Sequence, residues 1–291
     1  RAPWASTAVL DGTDAAGEGL IELGEGSSLL LKGVSLRNGS RGSGNGGAVL
    51  AEAEGCSVWA FNVTFESNSA TQEGFDQKGG AVALGSGSDA VLENCTIARN
   101  KAQAYGGGVS IVGDNTSVLF TGCLLEENHS NDVGGAVYVE GSSSVTFSGS
   151  VFSGNVADKG GALYGTNATV TVQAGSRFVN NTVYRSGAGI SLMAGSSLTV
   201  KNSTFYGNIL YLNGTSMNGT GGAIRVQGDY PHSIAMVEIS DCTFEGNYAP
   251  NGSGIYVTGG YELLVERSSF VDNWAHDAGG VAFGGGASIS S

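Results

Sequence analysis

Two short motifs that keep step along most of the chain restrict what it can fold into more than any bulk property does. The first is a Gly/Ala-rich triplet, most often Gly-Gly-Ala, followed by an apolar residue. Those residues are Val49, Val82, Val109, Val137, Leu163, Ile190, Ile224, Ile255 and Val281, at spacings of 33, 27, 28, 26, 27, 34, 31 and 26. The second motif, Phe/Ile/Leu-x-x-Asn, starts fifteen or sixteen residues later in every unit but one, where the gap is twenty. It gives Phe65/Asn68, Ile97/Asn100, Leu125/Asn128, Phe152/Asn155, Phe178/Asn181, Phe205/Asn208, Phe244/Asn247 and Phe270/Asn273. Between the markers, apolar residues alternate, as in Val137/Val139 and Val145/Phe147. Alternation puts them on one face of extended strands, and the intervening Gly and Ser mark bends. A unit of 26 residues so rich in Gly cannot bury that face alone. Copies must stack.

No stretch holds a helical period beyond a single turn, so crossover helices are not expected. Three short strands per unit predict an all-β fold, a right-handed parallel β-helix of about ten turns, each climbing by about 4.8 Å. The expected domain is single, with irregular opening turns over residues 1–45 and the regular array over 46–291. The apolar columns fill the interior. Asn68, Asn100, Asn128, Asn155, Asn181, Asn208, Asn247 and Asn273 are expected to form a ladder, each amide bonding to the one above and below.

The paired GGA[VIL] and FxxN motifs over residues 46–285 resemble the repeats of the polymorphic outer-membrane proteins of chlamydiae, whose passenger domains are β-helical adhesins. Similar repeats occur in pectin-lyase-like surface proteins of algae and other eukaryotes. The resemblance implies the fold and an adhesive or structural role at a cell surface. This chain differs from the chlamydial pattern in lacking a C-terminal barrel.

Catalysis is not expected; the alternatives are a polysaccharide lyase or hydrolase whose carboxylates come from loops such as Ser69–Lys78, and a bacterial autotransporter passenger adhesin. Polysaccharide-cleaving β-helices use outward side chains of one strand face, and glycoside hydrolysis needs two carboxyl groups about 5–9.5 Å apart. The residue after each apolar marker is read as outward: Leu50, Ala83, Ser110, Tyr138, Tyr164, Ser191, Arg225, Tyr256 and Ala282, without a carboxylate. The residue before it (Ala48, Ala81, Gly108, Ala136, Ala162, Gly189, Ala223, Gly254, Gly280) is uniformly small and read as a face for close packing against a neighbour. The three histidines, His129, His232 and His276, suit no nucleophile or zinc spacing. Asp132, Asp158 and Asp277 each lie near a following Gly-Gly. The first two should fall on adjacent turns, where they either share a Ca²⁺ ion or cap turns with their own backbone. The second reading is simpler, so no cofactor is expected.

Cys95, Cys123 and Cys242 share one column with Val63, Ser150, Ser176, Ser203 and Ser268, which reads as a small inward position. A Cys95–Cys123 disulfide is geometrically conceivable, and Cys56 has no evident partner. Asn-x-Ser/Thr occurs at Asn38, Asn62, Asn94, Asn115, Asn128, Asn167, Asn180, Asn202, Asn213, Asn218 and Asn251, 11 of the 20 asparagines. About four would arise by chance. All but the ladder residue Asn128 are expected acceptors of N-glycans, which places the protein outside the cell. Accidental sequons in Ser/Asn-rich turns are the alternative. The loop aromatics Phe75, Tyr105, Tyr184, Tyr211, Tyr248 and Trp274 either tuck over the ladder, the simpler case, or meet a carbohydrate or protein ligand. A net charge of −13 disfavours nucleic acid and anionic membranes, and no 18-residue apolar run exists for insertion. The chain opens Arg1-Ala-Pro-Trp, read as a processed product, and its ends carry no amphipathic cap. Further chain, self-association or neighbouring surface proteins are expected to cover them.

Overall fold

A computed structural model describes residues 8–13, 17–71, 76–211, 219–228, 235–275, 281–284 and 287–290. Among them there is no helix, and every named strand pair is parallel. One turn can be followed from Val49–Ala51 through a short bend into Ser57–Phe61. A corner at Asn62 leads to Thr64–Glu66, and a second corner at Ser67 leads to Ser69–Ala70. The first two segments belong to the same sheet and fuse into single strands at Val137–Ser148 and Leu163–Gln173. Three sheets therefore enclose the interior. The one through Thr64–Glu66 stacks ten strands, which makes about nine rises of roughly 4.8 Å, a solenoid about 43 Å long.

Register is strict because one face of every strand is buried, and a one-residue slip would turn the apolar set outward. Phe65 pairs with Ile97, Ile97 with Leu125, Leu125 with Phe152, and Phe152 with Phe178. From Phe152 upward the rings stack: Phe152, Phe178, Phe205, Phe244 and Phe270 follow at centroid distances of 4.5, 4.7, 5.0 and 4.7 Å, with planes within 9° of parallel. Opposite them lie Val137, Val139, Val145 and Phe147 and their equivalents, all buried in one core.

The two corners explain why the chain is rich in Asn as well as Gly. The residue before each ladder asparagine has positive φ, at Ser67, Arg99, Glu127, Gly154, Asn180, Gly207, Gly246 and Asp272, as does Asn38 at the same corner one turn below. So does the other corner, at Gly33, Asn62, Asn94, Gly122, Gly149, Asn202, Asp241 and Arg267. That left-handed conformation is free for Gly and most tolerable among other residues for Asn and Asp.

The column before each apolar marker is corrected. Ala48, Ala81, Ala136, Ala162 and Ala223 belong to the interior. A Cβ on Gly189 would lie 3.2 Å from the Phe205 ring, and one on Gly108 would lie 3.0 Å from Ile97. The Gly-Gly bend, with Gly134 at φ 68, resets the alternation, so Ala136 and Val137 both face inward. The column is small because the Phe stack and the ladder fill the space beside it. It offers no face to a neighbour.

Candidate functional site

Asn68, Asn100, Asn128, Asn155, Asn181, Asn208 and Asn247 are buried, and Asn273 is half-buried at the upper end. Asn155 shows the pattern. Its Nδ2 donates to Asn181 Oδ1 at 3.0 Å and to Leu125 O at 2.9 Å, and its Oδ1 accepts from Asn128 Nδ2 and Asn128 N, both at 3.0 Å. Two donors and two acceptor sites are all filled, so the polar group costs nothing unmet inside an apolar core. The spine is structural.

The four cysteines are buried free thiols. Cys95 Sγ donates to Ala60 O at 3.3 Å and Cys123 Sγ to Leu92 O at 3.2 Å. The neighbouring Cys95 thiol and burial push the Cys123 thiol up, and burial raises Cys242 to about 11. Cys56 heads a second small inward column not read from the sequence: Ser88, Thr116 and Ser143 follow it, and Thr116 Oγ1 donates to Gly85 O at 2.8 Å. Its signal is a small polar residue just before each Ser57–Phe61-type strand.

One face of the solenoid carries a groove of about 350 Å³. The residues after the apolar markers do not form the open outward face that strand alternation predicts. Ala83, Ser110, Tyr138 and Ser191 are buried. The return loop of each turn folds alongside them through a ladder of bridges, Lys78 to Tyr105, Tyr105 to Val133, and Val133 to Lys159. Tyr105, Asp132, Val133 and Lys159 form one wall, Tyr138 and Tyr164 the floor, and Thr166, Met193 and Ala194 the other wall.

Tyr105 stacks on Tyr138 with centroids 4.9 Å apart, and Tyr138 on Tyr164 at 6.0 Å. Lys78 Nζ lies 5.3 Å from the Tyr105 ring, a cation–π contact. Tyr138 Oη donates to Glu140 Oε2 at 2.8 Å, and Lys78 stands 3.9 Å from the same carboxylate oxygen. Burial pushes the Tyr105, Tyr138 and Tyr164 hydroxyls up, so all three stay neutral donors. Arg225, in register two turns above Tyr164, bonds Thr220 Oγ1 at 3.1 Å, Ser191 Oγ at 3.4 Å and Met193 Sδ at 3.1 Å. Burial lowers its pKa.

Asp132 and Asp158 do fall on adjacent turns, joined by Asp158 N donating to Asp132 O at 2.9 Å. Burial raises the Asp158 carboxyl, while Arg185, 2.9 Å away, opposes this and already supplies a cation. Among the described residues no group of three or more His, Cys, Asp or Glu converges as a metal site. Asp277, His232, His276, Phe75, Asn213 and Asn218 lie outside the described residues.

The expected tucking of the loop aromatics over the ladder is not found at Tyr105, Tyr184, Tyr211 or Trp274. Tyr105 enters the groove, and Tyr184, Tyr211 and Trp274 are 49%, 59% and 64% exposed. They stand where the chain leaves the ladder and turns outward. Of the sequons, Asn62, Asn94, Asn115, Asn167, Asn180 and Asn202 are exposed, Asn38 and Asn251 half-buried, and Asn128 buried.

Residues 14–176 and 166–290 match the family described as the right-handed β-helix region. The chain belongs to the right-handed β-helix family. No curated protein and no solved structure matches it. In this β-helix the stacked tyrosines Tyr138 and Tyr164 line the groove beside the return loops.

Proposed function

We propose that this β-helix works outside the cell as a non-enzymatic structural or adhesive rod, N-glycosylated and associated with copies of itself or with neighbouring surface proteins. The observation that carries this reading is a strip of outward apolar side chains along the third sheet. Thr182, Ile209, Tyr248 and Trp274 succeed one another in register, with Tyr184 and Tyr211 beside them. Ile209, Tyr211 and Trp274 are all more than two-fifths exposed. An exposed apolar strip on a rigid surface marks an interaction site more often than not. The neighbouring carboxylates Glu140 and Asp158, which do not line the groove, are engaged by Tyr138 and Arg185.

The test is sedimentation velocity and cell-surface binding of the chain beside a Tyr211→Ser/Trp274→Ser variant. Association that the variant loses supports the reading; a monomer that binds no surface defeats it. A second reading, polysaccharide cleavage, is favoured by one observation: Asp132 lines the groove and Asp158 follows it on the next turn, raised by burial as a general acid would be. Turnover of a uronic-acid polymer that Asp158→Asn abolishes would establish it instead.

A further inference from the structure

Sequons on a solenoid are not independent, because each corner lies one strand spacing from the corners above and below. Asn62 and Asn94 occupy the same corner on consecutive turns: Phe61 pairs with Glu93 and Thr64 with Thr96, and Asn62 N donates to Glu93 O. Both asparagines are exposed and left-handed, with φ 53 and 51. Their side chains leave the corner in parallel, roughly 4.8 Å apart. That separation is the thickness of one sugar ring, and a branched N-glycan on each cannot be accommodated.

At three corners the asparagine side chain leans toward the following turn, whereas Asn38 bonds Asp11 and Thr13 on the turn below. A Cβ on Gly122 would lie 2.7 Å from Asn94 Oδ1, one on Gly195 2.9 Å from Asn167 Oδ1, and one on Gly207 2.5 Å from Asn180 Oδ1. What stands on the next corner therefore decides whether a glycan has room. Asn62 has Asn94 on the next corner, whereas Asn94 leans toward Gly122, with Gly149 beyond. Asn180 is the clearest case, with Gly154 below it and Gly207 and Gly246 above, all at left-handed corners.

Resting on the reading that the protein is secreted and glycosylated, we propose that Asn94, Asn167 and Asn180 carry N-glycans and that a folded molecule never carries glycans on Asn62 and Asn94 together. A glycine on the next corner is the selecting feature. Asn115, Asn202 and Asn251 are outside the claim.

The experiment is glycopeptide mass spectrometry on the full 291-residue chain secreted from a eukaryotic cell. A long peptide spanning residues 62–94 reports both corners of one molecule. Thr96→Ala removes the Asn94 sequon without disturbing the left-handed asparagine, and Thr182→Ala does the same for Asn180. Expected are occupied Asn94, Asn167 and Asn180, with Asn62 bare wherever Asn94 is filled and rising severalfold in Thr96→Ala. Double occupancy of Asn62 and Asn94, or a bare Asn180 beside occupied sequons elsewhere, overturns the proposal. A secreted chain bare at every sequon overturns the glycosylation reading beneath it, and Thr182→Ala secreted at the wild-type level shows that folding is not the cause.

Discussion

Replacing Asn155 by Ala in the middle of the amide spine should be among the costliest single substitutions in the protein. The change strands Asn128 N and one of the two Asn128 Nδ2 hydrogens, the other still reaching Ile97 O, and takes from Leu125 O its side-chain donor. Asn181 Oδ1 keeps a partner, because Asn155 N still reaches it at 3.0 Å. Each orphaned buried group costs about 1–3 kcal/mol, and a water admitted to the small polar cavity would recover part of this. The net expectation is about 3–5 kcal/mol. Asn273→Ala strands the equivalent groups on Asn247 and Phe244, but at a half-buried end where solvent replaces them. About 1 kcal/mol is expected there. Urea unfolding followed by circular dichroism measures both. Equal losses in the two variants, or a loss below about 1 kcal/mol for Asn155→Ala, would refute the view that the ladder is a saturated buried network.

Other expectations follow from the same geometry. Phe178→Ala breaks a ring stack at its middle and should cost about 3–5 kcal/mol, against less than about 1.5 kcal/mol for Phe178→Leu, by the same unfolding assay. Gly135→Ala should fail to yield folded protein, since its Cβ would overlap Gly161 O and fall 2.7 Å from Val156 O; a wild-type melting temperature would contradict this. The Asp158 carboxyl is raised above its ordinary 3.8, mainly by burial. Its contribution is therefore fully present below that value and is lost as pH rises through the folded value. Asp158→Asn should flatten that part of the pH–stability profile, and an unchanged slope in thermal melts would count against it. All four thiols should resist alkylation in the native state and react after unfolding in denaturant without reductant; only two reacting would mean a disulfide has formed.

The fold was legible because Asn and the large apolar residue three positions before it recur together along the chain, and only axial stacking satisfies both. Strand register followed from the same markers. The facing of the Ala136 column was not legible, since a period-two count runs through the Gly134–Gly135 bend as though the strand were straight. The groove was hidden for a related reason. Tyr105 and Tyr138 are far apart in sequence, and their stacking depends on the path of the return loop, which no local pattern encodes. The sequons were visible as motifs, but a sequence does not say which corner stands above which until the register is known. The hydroxyl column through Ser88 and Thr116 escaped notice because small polar residues are everywhere in this chain.

The partition of asparagines between an inner spine and outer corners is best tested by hydrogen exchange of the side-chain carboxamides, read residue by residue by NMR. Slow exchange at Asn100, Asn128, Asn155, Asn181 and Asn208, with fast exchange at Asn62, Asn94 and Asn115, is the predicted result. Comparable rates in the two groups would contradict the stacked-turn account at its root.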